Sequence, residues 1–208
     1  MESSALDPLY LITDRHAPPS GGLPGALEAA LTGGVRFVQY REKDLPFEER
    51  LRLGREVASL ANEHGACLLV NGDIELAEAL GADGLHLGKG TVSVSAVRTG
   101  GYAGVIGYSA HSGEEAAAAF AEGADFATLS PVFPTNSKFS SGPLLGLEAF
   151  ERECAIAGGP VYALGGVGAQ NASWCLERGA RGVALIGAVL AADDPARAAR
   201  EVRAALSA

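Results

Sequence analysis

The chain lacks a basic stripe. Sixteen Lys and Arg stand against 25 Asp and Glu, giving a net charge of −9 and an isoelectric point near 4.9. Nucleic acid needs clustered cations, so no nucleic-acid partner is expected. An anionic ligand must be drawn in by local Lys, Arg and backbone N–H groups against the overall field. Cysteine is sparse: Cys67, Cys154 and Cys175 are far apart and odd in number. That excludes a disulfide framework and a zinc spacing. Cys67 opens an apolar run and reads as core. No segment reaches membrane-spanning length, and no charged stretch followed by an apolar one opens the chain. A soluble protein in a reducing, cytoplasmic setting, with no membrane partner, is the expectation. A linker is missing too. The 208 residues, 48% hydrophobic and 20% charged, read as one domain over 1–208 with a full core.

What is present is an alternation. Gly33-Gly34-Val35-Arg36-Phe37, Gly81-Ala82-Asp83-Gly84-Leu85, Gly123-Ala124-Asp125-Phe126 and Gly179-Ala180-Arg181-Gly182-Val183 share one layout. Each follows an Ala- and Leu-rich stretch and precedes a β-type apolar run. Glycine just past a helix relieves the left-handed position there, so each marks a helix stop and a strand start. The predicted strands are Leu9–Thr13, Phe37–Tyr40, Cys67–Asn71, Gly84–Leu87, Gly104–Tyr108, Asp125–Leu129, Val161–Leu164 and Val183–Ile186. Helical patterns lie between them. The longest runs from Phe47 to His64, with Leu53, Val57, Leu60 and Ala61 on one face. Ser112-Gly113-Glu114-Glu115 predicts a capping box before Ala116–Glu122, and a last helix begins near Pro195 and ends near Leu206.

Eight short strands, each followed by a helix, predict an α/β fold of the (β/α)8 TIM-barrel type. The competing open doubly wound sheet needs a glycine-rich fingerprint after its first strand. Asp14-Arg15-His16-Ala17-Pro18-Pro19 stands there instead.

In such a barrel, function gathers where the strands end. The second strand exits through Gln39-Tyr40-Arg41-Glu42-Lys43. Period two places Gln39, Arg41 and Lys43 on the side of Phe37, which favours an anion clamp over a merely solvated strand end in which Glu42 pairs with a neighbour. Asn71 ends the third strand as a hydrogen-bonding candidate, and Asp73 reads as the cap of helix Ile74–Leu80. His86, between two leucines, reads as a satisfied core histidine. The fifth strand leads to Ser109-Ala110-His111-Ser112. His111, just before a helix N-terminus that disfavours imidazolium, is a candidate neutral base or a surface histidine beside a cap. The sixth strand runs into Ser130-Pro131-Val132-Phe133-Pro134-Thr135-Asn136-Ser137-Lys138. Two prolines, small hydroxyls and one ammonium suit a phosphorylated small molecule; an ordinary proline-rich loop is the alternative. Gly165-Gly166 and Ile186-Gly187 end the last two strands, where backbone N–H groups can approach an anion.

Taken in order, Gln39-x-Arg41-x-Lys43, Asn71, Gly81-Ala82-Asp83-Gly84-x-His86-x-Gly88, Ser109-x-His111-Ser112, Phe133-Pro134-Thr135-x-Ser137-Lys138 and Gly165-Gly166-Val167 resemble the thiamine phosphate synthase superfamily over nearly the whole chain. The resemblance implies that Gln39, Arg41, Lys43, Asn71, Ser109 and Lys138 hold an aminopyrimidine diphosphate. It also implies that Thr135, Ser137, Gly166 and the Ile186-Gly187 backbone hold a thiazole phosphate. Synthases of this kind carry an aspartate after the asparagine and another after the His-x-Gly element, to bind Mg²⁺. Here those positions are Gly72 and Thr91. Mg²⁺ prefers carboxylate oxygen and offsets charge on departing phosphate.

The loss of both carboxylates points instead to a sister branch, the thiazole phosphate tautomerases, which move a proton and expel no diphosphate. The expectation is therefore an isomerase with no cofactor, no metal ligands and His111 as proton shuttle, its phosphate anchored by Gly165, Gly166 and Gly187. A Mg²⁺-responsive synthase with a relocated metal site is the first alternative; Lys89 is a candidate fixed charge that partly substitutes for the lost carboxylate-bound metal. A non-catalytic phosphate-binding or regulatory barrel is the second. Self-association is expected only as a general habit of barrels.

Overall fold

The structure is a computed structural model and describes residues 6–135 and 143–207. Asn136, Ser137 and Lys138 lie outside the described residues. Among those described, eight parallel strands close in sequence order into one barrel. They are β1 (Leu9–Ile12), β2 (Phe37–Tyr40), β3 (Cys67–Asn71), β4 (Gly84–Gly88), β5 (Val105–Ala110), β6 (Phe126–Leu129), β7 (Val161–Leu164) and β8 (Gly182–Leu185). Around them run α1 (Gly22–Thr32), α2 (Phe47–Glu63), α3 (Ile74–Leu80), α4 (Val94–Thr99), α5 (Gly113–Ala121), α6 (Gly146–Ala157), α7 (Ala172–Glu177), α8 (Gly187–Leu190) and α9 (Pro195–Leu206). The predicted (β/α)8 barrel is the observed fold.

The helix stops work as the repeat implies. Gly34, Gly81, Gly123 and Gly179 all take positive φ, from 61° to 104°, a conformation that costs other residues steric strain. Asp73 caps α3 by accepting from the Leu76 N–H at 3.0 Å. The box at α5 is only half formed. Ser112 Oγ accepts from Glu115 N, but the Glu115 carboxylate reaches back to the N–H of His111. β5 runs to Ala110, two residues past its predicted end, so Ser109 stands on the strand itself. The short α8 between β8 and α9 is an element that the sequence pattern did not separate.

Two cores result. Leucine, valine and alanine fill the layer between strands and helices. Inside the barrel, Tyr10, Ile12, Phe37, Leu69, Val105, Phe126, Tyr162 and Ala184 pack together. Tyr10 stacks on Phe37 with centroids 4.2 Å apart, and Phe126 meets Tyr10 edge-on at 5.3 Å. Burying one such ring contributes about 1.5–3 kcal/mol. This aromatic plug closes the barrel, so the mouth above it is a floored depression.

Candidate active site

On the β2–β5 side, the floor of the mouth is a chain of side chains bonded to one another. Gln39 Nε2 donates to Tyr10 Oη at 2.9 Å. Tyr10 Oη lies 3.1 Å from His86 Nδ1, and His86 Nε2 lies 2.9 Å from Ser109 Oγ. Asn71 Nδ2 donates to Gln39 Oε1 at 2.9 Å. Burial is the main cause that drops the His86 pKa to about 3, and the Arg41 and Lys43 charges add to it. The ring is therefore neutral near pH 7. We assign the tautomer in which Tyr10, accepting from Gln39, gives its proton to Nδ1 and Nε2–H donates to Ser109. That leaves the Ser109 hydroxyl proton to offer outward. His86 is the satisfied core histidine the sequence predicts, with a role in orienting Ser109. Gly107 makes room for it, since a Cβ there would lie 2.3 Å from Phe126 and 2.6 Å from His86 Nδ1.

The cations stand over this floor. Arg41 and Lys43 both act electrostatically on His86; burial lowers the pKa of each, with the Arg41 charge adding to the fall at Lys43 and Asp14 and Glu42 opposing it at Arg41. Lys43 and Asn71 line one small cleft with Tyr40, Glu42, Arg50 and Leu76. The structure thus brings Gln39, Arg41, Lys43, Asn71 and Ser109 to one region. Glu42 does pair with neighbours, on the β1 side.

On the β6–β8 side lies a larger cleft of about 950 Å³, lined by backbone-rich segments that include Ser130, Pro134, Thr135, Leu164–Val167 and Leu185–Ala188. Thr135, Gly165, Gly166, Ile186 and Gly187 all border it. The two glycines of the β7 exit take φ of 92° and 66°. A Cβ on Gly166 would lie 2.5 Å from the Pro134 carbonyl oxygen and 2.7 Å from Phe133 Cβ. These glycines therefore serve close packing between the β6 and β7 exits, secured by Val132 N to Leu164 O and Phe133 N to Gly165 O, both 3.0 Å. Asp14, His16 and Asp44 form the opposite wall. Sequence reasoning missed them; the only signal was their place directly after two strand ends.

His111 is exposed at the end of β5, its Nδ1 3.2 Å from the Ser130 carbonyl. It is not among the residues that line the large cleft.

The family's metal positions fit poorly. Gly72 takes φ 67°, and a Cβ on it would meet the Thr91 methyl at 3.0 Å. The Thr91 hydroxyl turns into its own loop, donating to the Gly88 carbonyl at 2.8 Å and accepting from Gly88 N at 3.2 Å. A hydrogen and a methyl stand where two carboxylates are expected, and no group of three His, Cys, Asp or Glu suited to a metal occurs among the described residues.

Fold and mouth together define a (β/α)8 barrel with a ligand-sized cleft and a cluster of cationic side chains at the carboxyl ends of its strands. The sequence profile of the family described as thiamine monophosphate synthase matches residues 9–189, and the chain belongs to that family. A Geobacter sulfurreducens protein provisionally named a thiamine-phosphate synthase is 45% identical over 95% of this chain and 93% of its own. The thiamine-phosphate synthase of Roseiflexus is 36% identical over 96% of this chain and 85% of its own. The solved thiamine phosphate pyrophosphorylase of Pyrococcus furiosus superposes with a TM-score of 0.85 at 33% identity, over 96% of this chain and 95% of that one.

These relatives overturn the expectation of a tautomerase. The isomerase reading rested on two missing carboxylates; relatives across most of the chain's length carry the synthase name. The assignment of His111 as an isomerase's proton shuttle falls with that reading. No helix among the described residues is long and apolar enough to cross a membrane.

Proposed function

We propose that the chain is a thiamine-phosphate synthase, a transferase that joins an aminopyrimidine diphosphate to a thiazole phosphate. One observation supports the reading: a cationic cluster and a separate glycine-lined cleft share one barrel mouth. The clamp of Arg41 and Lys43 above Asn71, Gln39 and Ser109 suits the diphosphate. The cleft bordered by Thr135, Gly165, Gly166, Ile186 and Gly187 has room for the thiazole phosphate. Ser137 and Lys138, outside the described residues, complete the set that the family implies.

The chemistry asked of these residues is charge stabilisation. The bond between the pyrimidine methylene carbon and the diphosphate oxygen breaks, and the electron pair leaves with pyrophosphate. Arg41 and Lys43 stabilise the charge that gathers there, and the Ser109 O–H adds a neutral donor. The thiazole nitrogen then forms the new carbon–nitrogen bond, which leaves a thiazolium. Both substrates held in one mouth make capture of the cation faster than its loss to water. Mg²⁺ is the cofactor the family implies. Gly72 and Thr91 offer it no carboxylate, so no step is assigned to it.

The test is direct. Purified protein with both substrates should yield thiamine phosphate and pyrophosphate in equal amounts. Absence of product at high enzyme concentration, with and without Mg²⁺, would sink this reading.

A further inference from the structure

One charged group at the mouth is unaccounted for by this chemistry. Glu42 is 5% exposed and lies between Arg41 and Lys43 in sequence; it acts electrostatically on Arg41 and borders the small cleft with Lys43, but its carboxylate is bonded on the β1 side. A buried carboxylate is costly unless its oxygens are hydrogen-bonded. Here they are. Thr13 Oγ1 donates to Oε1 at 2.9 Å, and the Arg15 N–H donates to both oxygens at 3.1 and 3.2 Å. Thr13 Oγ1, itself fully buried, accepts from the Arg41 N–H at 2.8 Å. The Arg15 guanidinium continues outward to Asp44, which His16 also meets at 3.0 Å. Burial raises the Glu42 pKa, and the Arg15 and Thr13 donors oppose that rise.

The connection runs in a definite direction. Thr13 and Arg15 follow β1, whose loop gives Asp14, His16 and Ala17 to the large cleft. Arg41 and Lys43 follow β2. Beyond the last paired residues Ile12 and Gln39, Glu42 ties these two segments together through hydrogen bonds to both Thr13 and Arg15, and Asp44 joins them again further out through Arg15 and His16. Past Tyr40 the ladder no longer dictates which way alternate residues point. With Glu42 held on the β1 side, its two neighbours are left to the axis side, where they act on His86.

We infer that Glu42 is a positioning residue. Through Thr13 and Arg15 it fixes the direction of Arg41 and Lys43, and so sets the affinity of the mouth for a diphosphate. The inference rests on the synthase reading for its biological meaning, but its test does not need turnover. The probe is inorganic pyrophosphate, measured by calorimetry on the whole chain.

Glu42→Gln and Glu42→Ala should each weaken pyrophosphate binding about tenfold or more and raise KM for the diphosphate substrate by a similar factor, with a smaller change in kcat. A control separates positioning from stability. Asp7 holds Arg203 at 2.9 Å at the opposite end of the barrel, so Asp7→Asn should lower the melting temperature and leave pyrophosphate affinity within twofold. If the Glu42 variants do not fold, the Thr13 pair decides: Thr13→Val, which loses the bridging hydroxyl, should bind weakly, and Thr13→Ser should rescue. Folded Glu42 or Thr13→Val variants that bind pyrophosphate like the native chain would overturn the inference. A native chain that binds pyrophosphate but makes no thiamine phosphate sinks the synthase reading alone. A native chain that does not bind pyrophosphate overturns the inference, and the synthase reading then stands or falls on product formation alone.

Discussion

The two sides of the barrel mouth are built from different materials. From β2 to β5 the site is made of side chains that hold one another: Asn71 on Gln39, Gln39 on Tyr10, Tyr10 on His86, His86 on Ser109. From β6 to β8 it is made mainly of backbone, with glycines where a Cβ has no space. The first side can be altered in small chemical steps, each felt along the chain of bonds. The second has no space for an added atom at Gly165 and Gly166 but has little side-chain chemistry to lose. The comparison breaks if substitutions on the two sides have the same signature.

The largest effect is expected at Arg41, which carries charge onto the first side. Arg41→Ala should lower kcat/KM for the diphosphate substrate at least about a hundredfold, since losing a cation from a desolvated charge pair costs several kcal/mol. The thiazole phosphate KM should move little. A loss of less than about threefold would mean that Arg41 is not in the clamp. Next comes Gly166→Ala. Its Cβ would lie 2.5 Å from a carbonyl oxygen at φ 66°, so the variant should lose about 1–3 kcal/mol of unfolding free energy in urea and bind thiazole phosphate poorly. Gly187→Ala is the internal contrast, because its Cβ would meet nothing closer than 3.9 Å. Equal losses in the two variants would show that steric fit is not what the second side depends on.

The sides also differed in how far the sequence revealed them. The helix stops and most strands were legible because glycine after an alanine-rich stretch and short β-branched runs are local signals. Gln39, Arg41 and Lys43 were legible for the same reason: alternation along one strand tells which residues share a face. Tyr10 was not, since a tyrosine amid leucines looks like core, and only the closure of β1 against β2 and β8 sets its hydroxyl between Gln39 and His86. The reason for Gly165 and Gly166 was also hidden. Their sequence suggests anion binding, while the steric need comes from Pro131, Phe133 and Pro134 on a neighbouring exit. The isomerase expectation failed for a related reason. It weighed two missing carboxylates, Gly72 and Thr91, above a site that needs the whole mouth to be seen.

His86 gives the first side a pH dependence. Its folded pKa, about 3, lies below the ordinary value of 6.5. The unfolded chain therefore takes up a proton that the folded chain refuses. The contribution is fully present above pH 6.5 and is lost as pH falls from there toward 3. Its limiting slope is about 1.4 kcal/mol per pH unit. Urea unfolding between pH 7 and 5 should show that decline in the native chain, and His86→Gln should flatten it. An identical slope in both would place the ring in contact with water.

The smallest effect should come from the position where this chain departs from its relatives' implied metal chemistry. Thr91 turns its hydroxyl into the β4 exit loop and its methyl toward Gly72. Thr91→Asp puts a carboxylate there without asking for a positive φ, unlike Gly72→Asp, whose backbone sits at 67°. A single carboxylate is a weak Mg²⁺ ligand that leaves most of the ion's water shell in place. The variant should therefore respond only a few-fold more to added Mg²⁺ in its rate of thiamine phosphate formation, and Mn²⁺ bound to the protein alone should become detectable by electron paramagnetic resonance. In the proposed chemistry Arg41 and Lys43 neutralise the departing diphosphate, so the gain should be largest when Arg41→Ala is combined with Thr91→Asp. If the gain is the same with and without Arg41, the metal and the clamp act on different charges, and the two sides of the mouth divide the work differently from the division drawn here.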